Sequence, residues 1–210
     1  MLNKQRFLVL AAHCDDGELG MGGTIAKLIE ERKDVFIIAF SSAEKSVPKG
    51  YQKDVLKREI KRAMDRLGVP KENLILLDYE TRVFPEHRQG ILDDMIRLRK
   101  EIRPDVVFLP SSFDTHQDHK VIAEEGFRAF KNCSILGYEE AWNNMTFATT
   151  GFVRLEDRHI TKKIKALSGY QSQSKKFYMS SDFTKSLATI RGAQINVKYA
   201  EAFEIVRLIF

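Results

Sequence analysis

The chain's strongest constraint is an apolar run that stops abruptly in imidazole and carboxylate. Phe7-Leu-Val-Leu-Ala-Ala12 leads directly into His13-Cys14-Asp15-Asp16, and a glycine-rich stretch, Gly17-Glu-Leu-Gly-Met-Gly-Gly23, follows. A short run of branched apolar residues bounded by polar ones reads as a strand buried on both faces. Helical spacing resumes over Thr24-Ile-Ala-Lys-Leu-Ile-Glu-Glu31. One imidazole and two carboxylates therefore fall at the carboxyl end of a first parallel strand, where open α/β sheets bind their ligands.

The same grammar repeats along the chain. Apolar runs at Asp34–Ser41, Asn73–Asp78, Asp105–Leu109 and Ser134–Tyr138 alternate with helical spans at Asp54–Leu67, Ile91–Ile102 and His119–Phe130. A weaker strand is expected over Phe147–Val153, helices over His159–Tyr170 and Thr184–Gly192, and a final strand over Ala200–Phe210. Strands alternating with helices predict an α/β fold: a Rossmann-like, doubly wound, mostly parallel sheet with helices on both faces. The last strand is expected to be antiparallel, at an edge near the C-terminus. With 43% hydrophobic residues in 210, a single domain spanning residues 1–210 is expected.

Charge and cysteine usage narrow the function classes. The net charge of +5 comes from Lys and Arg scattered among Asp and Glu. That pattern argues against a nucleic-acid partner and leaves attraction for an anionic substrate or a membrane surface open. Cys14 and Cys133 form no disulfide or metal spacing. No stretch approaches the roughly 20 apolar residues of a membrane span, and no signal core follows the first residues. A soluble, cytoplasmic protein without an integral membrane segment is the expectation, with a homo-oligomer compatible.

A second polar cluster, Asp114-Thr-His116-Gln-Asp118-His119, follows the strand at Asp105–Leu109. The two clusters hold three of the chain's five histidines. Neutral imidazole and carboxylate are the usual ligands of borderline metals. If His13 and Asp16 curl around a metal, Asp15 faces the ligand space from another side, as a general base requires. One of His116 and His119 can complete the ligand set while the other faces substrate, and Asp118 can orient either ring. His87 and His159 lack such company and are read as surface residues. Cys14 is read as a small filler. The glycine stretch departs from the G-x-G-x-x-G order, so it is read as close packing of the first helix on the sheet.

At these two clusters the chain resembles the LmbE-like, or PIG-L, family of zinc-dependent N-acetylglucosaminyl deacetylases. Ala12-His13-Cys14-Asp15-Asp16 and His116-Gln117-Asp118-His119 stand where that family has Ala-His-x-Asp-Asp and His-x-Asp-His. Weaker likenesses are Arg58-Glu59, Leu67-Gly68-Val69, Lys165-Ala166-Leu167, Tyr170–Gln173 and Tyr199–Phe203. The resemblance implies that His13, Asp16 and His119 hold Zn2+, with Fe2+ or another divalent metal as alternatives. It implies Asp15 as the base for the attacking water. It implies that His116 stabilises the oxyanion or protonates the leaving amine, with Asp118 set against it. Arg58 and Arg82 match substrate-side positions, and Tyr178 or Phe183 stands near the family's oxyanion tyrosine. The implied reaction removes the N-acetyl group from an N-acetylglucosamine-type amino sugar or its conjugate. Hydrolysis of another amide or ester is the alternative, as is a non-catalytic sugar- or nucleotide-binding protein on the same fold.

Overall fold

The structure, a computed structural model, describes residues 4–210; Met1–Asn3, the start of the N-terminus read above, lie outside them. Seven strands form one sheet in the order β3-β2-β1-β4-β5-β7-β6. Their ranges are β1 Arg6–Ala11, β2 Asp34–Ala39, β3 Leu74–Leu76, β4 Val106–Pro110, β5 Ser134–Tyr138, β6 Gly151–Leu155 and β7 Tyr199–Arg207. The helices are α1 Asp16–Glu30, α2 Val55–Leu67, α3 Arg88–Ile102, α4 Gln117–Ala129, α5 Asp157–Leu167 and α6 Ser181–Ala193.

Alternation along each strand builds two apolar layers. Phe7, Val9, Val106 and Phe108 face one layer, which α1, α2 and α5 cover with Ile25, Ile60, Met64 and Leu167. Leu8, Leu10, Val107 and Leu109 face the other, covered by α3 and α4 through Met95, Leu98 and Ile122. Burial on both faces explains why these strands carry no polar alternation.

β1 to β5 are parallel. The strand order reverses between β1 and β4, so the loops leaving these strands diverge and open a crevice. The two polar clusters leave the two strands that flank that crevice. β7 runs antiparallel to both β5 and β6. It is therefore the antiparallel strand expected near the C-terminus, but it sits one place in from the edge. β6 takes the edge, with Gly151 to Val153 only half-buried, while Ala200–Phe203 of β7 are buried.

The first helix begins eight residues earlier than its apolar spacing suggests, at Asp16 rather than Thr24. Its glycines hide the helical pattern, because they serve close approach. A Cβ on Gly20 would lie 2.4 Å from Tyr138 Cδ2, and one on Gly23 would lie 2.5 Å from Leu155 Cδ1. The reading of this stretch as packing contacts agrees with that. α1 is broken at Met21 (φ −146°, ψ 27°). The break exposes orphan backbone groups that two buried side chains satisfy. Glu201 accepts from Gly23 N, Thr24 N and Thr24 Oγ1, and Lys163 Nζ donates to Leu19 O and Glu201 Oε1.

His159, read as a surface residue, is buried. Its Nδ1 accepts from Glu156 N at the start of α5, and its Nε2 lies 2.7 Å from Glu30 on α1. The tie to α1 is invisible in a local reading. Among the described residues no helix is long and apolar enough to cross a membrane.

Candidate active site

Loops at the carboxyl ends of β1, β3, β4 and β5 enclose a cavity of about 300 Å3. His13, Asp15 and Asp16 come from the first, Thr81 and Arg82 from the second, His116 and His119 from the third, and Glu140, Trp142 and Asn143 from the fourth. Lys176 and Tyr178, from the segment after α5, close another side.

At its floor three donor atoms form a nearly equilateral triangle. His13 Nδ1 and Asp16 Oδ2 are 3.5 Å apart, His119 Nε2 and Asp16 Oδ2 3.4 Å, and the two nitrogens 3.3 Å. A tetrahedral ion with ligand distances of about 2.0–2.1 Å needs donors about 3.3–3.4 Å apart. Each imidazole is held from behind by a carboxylate. His13 Nε2 lies 3.0 Å from Asp118 Oδ2, and His119 Nδ1 lies 2.8 Å from Asp114 Oδ2. Donation to those carboxylates leaves His13 Nδ1 and His119 Nε2 as the free lone pairs, aimed at each other and at Asp16.

The local charge also calls for a cation. Burial opposes ionisation of Asp16, yet His119 and His13 hold its carboxyl well below the usual range. Burial likewise opposes a charge on His13, yet Asp16 and Asp118 raise its pKa to about 10, so with no ion bound Nδ1 holds a proton that a metal would displace. Asp16, His119 and Glu140 present further donor atoms within 4.8 Å of one another, as do His13, His116 and His119. Glu140 Oε1 finds no hydrogen-bond partner among the described residues. Burial, then Asp16 and Asp114, push the Glu140 carboxyl well up. A buried, acceptor-rich pocket of imidazole and carboxylate suits a divalent metal ion.

Asp15 stands apart from this triangle. Its nearest cation is Lys176 Nζ, 3.9 Å from Oδ2. Burial raises its pKa, with Lys176 pulling the other way. His116 caps α4: its Nδ1 accepts from Asp118 N at 3.1 Å. The proton of the neutral ring is therefore on Nε2. Burial, then His119 and His13, lower its pKa to about 4, so the ring is neutral at pH 7.

Two expected placements change. Asp118 is set against His13, not His116, because its carboxylate is drawn into a turn after β3. Arg82 N donates to Oδ2 at 2.6 Å, Phe84 N to Oδ1 at 3.3 Å, and Thr81 Oγ1 to Oδ2 at 3.4 Å. Arg82 itself takes φ +72°, a left-handed conformation costly for arginine that aims its N–H at Asp118. Arg82 lines the cavity, whereas Arg58 does not: on α2, its guanidinium is bonded to Asp54 and Gln52. Tyr178 lines the cavity, and Phe183 packs behind it. Cys14 is buried, and its thiol donates to Ser41 O, a filler as expected. Asp114, Thr81, Glu140, Trp142 and Lys176 were not singled out from sequence. Only Asp114 carried a signal, its place at the head of the second cluster.

Residues 8–130 match the family described as PIG-L, GlcNAc-PI de-N-acetylase. The chain is 28% identical over 138 residues to the diacetylchitobiose deacetylase of Thermococcus kodakarensis, a match covering 63% of this chain and 51%, about half, of that protein. It is 26% identical over 179 residues to the uncharacterized deacetylase YaiS of Escherichia coli, covering 81% of this chain and 93% of that one. In solved structures it resembles the conserved protein TT1542 of Thermus thermophilus, with TM-score 0.81 and 25% identity over 97% of this chain and 95% of that one. With the matched stretch running from β1 through α4, and so through both polar clusters, the chain belongs to the PIG-L family.

Proposed function

We propose that the protein is a metal-dependent hydrolase that removes the acetyl group from an N-acetylglucosamine-type amino sugar or its conjugate. The observation that carries this reading is the triangle of His13 Nδ1, Asp16 Oδ2 and His119 Nε2 beside the carboxylate of Asp15, in one cavity. Its relatives' names support hydrolysis of an N-acetyl group as the reaction class.

His13, Asp16 and His119 would hold the ion, and Asp118 and Asp114 fix the two rings. A divalent ion bound there supplies Lewis acidity, polarising the amide carbonyl and making water acidic near neutral pH. Asp15 accepts the proton of the attacking water. Its burial and raised pKa favour carrying that proton onward to the departing amine. His116 is neutral with its proton on Nε2, and it donates to the developing oxyanion. Of the two roles implied for His116, its lowered pKa favours the donor over the acid.

The test is an amine-release assay of purified protein on N-acetylglucosamine, its glycosides and simple N-acetyl amides, with and without a chelator. Chelator-sensitive amine release from the sugars supports the reading. Release only from simple amides, or release unaffected by exhaustive chelation, overturns it.

A further inference from the structure

At the sheet edge opposite β6, β3 pairs only with β2. Ile75 stands beside Ile38 in that ladder, and Leu77 N donates to Ala39 O. Main-chain groups alternate in direction along a strand, so Leu76 N–H and C=O and Leu74 C=O point to the open side. Leu74 N is spent on Lys71 O. The Leu74 and Leu76 side chains are only half-buried, whereas Phe7–Ala11 of β1 are buried throughout. Between β3 and α2 runs a groove of about 720 Å3, with Met64, Val69, Leu74 and Leu76 below and the exposed Lys61, Arg62 and Lys71 around it. It shares no lining residue with the candidate active site. Earlier on α2, Lys57 pairs with Glu44 and Asp78, and Arg58 with Asp54. Lys61, Arg62 and Lys71 make no ion pair among the described residues, and Asp65 is the carboxylate in the groove's lining.

We infer that this groove binds an extended acidic segment of another protein, which adds to β3 as a further strand. Strand addition answers the outward Leu76 groups with main-chain hydrogen bonds, and alternate side chains of the segment reach the groove. Acidic residues in the segment answer the three cations. Lysines on an edge strand often serve to discourage pairing. Here the cations stand on α2 and ahead of the strand, while β3 itself is Leu-Ile-Leu, with neither charge nor proline. A second copy of this chain fits worse. Antiparallel self-pairing centred on Ile75 sets Glu72 opposite Asp78, and centred on Leu76 it sets Glu72 opposite Glu80, so both registers oppose like charges. An anionic lipid surface answers the cations but leaves Leu76 N–H and C=O unspent.

The probe is a fluorescein-labelled peptide, Val-Ile-Val flanked on each side by glutamates, titrated into the full chain at about 0.15 M salt and read by anisotropy. One comparison peptide carries lysines in place of the glutamates, and another is N-methylated at its central amides. An exposed ion pair is worth up to about fivefold, so several together give about tenfold. The glutamate peptide is expected to bind saturably and about tenfold tighter than the lysine peptide. N-methylation removes the donors of the added strand and is expected to weaken binding at least about tenfold. Lys61→Glu combined with Lys71→Glu, both at exposed positions, is expected to weaken the glutamate peptide about tenfold while the thermal midpoint stays unchanged. Leu76→Pro removes an outward N–H without breaking a ladder bond and is expected to weaken it likewise. No binding of the glutamate peptide, equal binding of the lysine or N-methylated peptide, or unchanged affinity in the double variant overturns the inference. Capture of the protein by phosphatidylglycerol vesicles without peptide binding overturns it in favour of a lipid surface. A dimer in sedimentation that Leu76→Pro dissolves overturns it in favour of a second copy.

Discussion

Asp118 Oδ2 lies 3.0 Å from His13 Nε2, joining two side chains 105 residues apart in sequence across the β1–β4 crevice. Asp114 holds His119 in the same manner from within its own cluster. These carboxylates choose which ring nitrogen faces the proposed metal, and they keep each ring oriented. Loss of such a partner typically costs about 10–100-fold in metal affinity or activity. Asp118→Ala and Asp114→Ala are each expected to weaken divalent-metal binding by that factor, read by competition with a chromophoric chelator. Wild-type affinity in both variants would remove the two carboxylates from this role.

The proposed ligands are tested by elemental analysis. His13→Ala and His119→Ala each delete one corner of the donor triangle and are expected to be purified with little metal. A full equivalent of metal in both variants would mean that the ion, if any, sits elsewhere, and Glu140 would then be the residue to examine.

Much of this site was legible because the chemistry falls in two short clusters, each just past a strand that is apolar on both faces. His13, Asp16 and His119 meet where the strand order reverses, a consequence of parallel topology rather than of any local signal. What stayed hidden depends on partners distant in sequence. Asp118 pairs with His13 because the turn at Thr81–Arg82, from a stretch that reads only as polar loop, gathers its carboxylate. The resemblance implies a substrate-side Arg58, but Asp54, four residues back at the start of α2, captures its guanidinium. The weak likenesses at Glu59 and Ser172 form one hydrogen-bonded pair between α2 and the segment after α5, with Ser172 N and Oγ both donating to Glu59. Neither residue alone announces that contact.

Asp15 and His116 are expected to separate binding from chemistry. Asp15→Asn keeps the shape but cannot take a proton, and a positioned base contributes about 10²–10⁴-fold. The variant is expected to keep its metal and lose turnover on that scale. His116→Ala loses an oxyanion donor and is expected to lose about 10²–10³ in kcat with little change in KM. Because the wild-type ring titrates at about 4, it is neutral across pH 5–8, so His116→Ala is expected to keep the shape of the pH–rate profile in that range. Loss of an alkaline limb in this variant would restore the acid role to His116.

The break in α1 makes a stability prediction away from the chemistry. Lys163 and Glu201 are both almost fully buried, and together they satisfy the carbonyl and N–H groups the kink frees. Removing one partner of a buried pair leaves an uncompensated charge and typically costs about 3–5 kcal/mol. Lys163→Met is expected to lose that much in equilibrium denaturation. A loss below about 1 kcal/mol, the range of exposed pairs, would mean that water reaches Glu201 and the break is not sealed.

Glu18, in the first turn of α1, supplies a pH test. Burial pushes its carboxyl from 4.5 up to about 8, although Tyr170 OH donates to Oε1 at 2.5 Å and favours the charged form. Its Oε2 has no hydrogen-bond partner among the described residues. Between pH 4.5 and 8 the folded chain keeps a proton that the unfolded chain has released, so this group's contribution falls as pH rises through that window. Glu18→Gln still offers Tyr170 an oxygen and never ionises. It adds one buried amide N–H group, a cost that does not change with pH. Relative to the wild type, the variant is therefore expected to gain stability steadily from pH 5 to 8, whatever its offset at pH 5. Denaturation midpoints on chelator-stripped protein at unit pH intervals read the slope directly, free of any bound cation that would hold the carboxyl ionised. Parallel curves for the two proteins would show that Glu18 is already charged in the folded state, with water or a cation reaching Oε2.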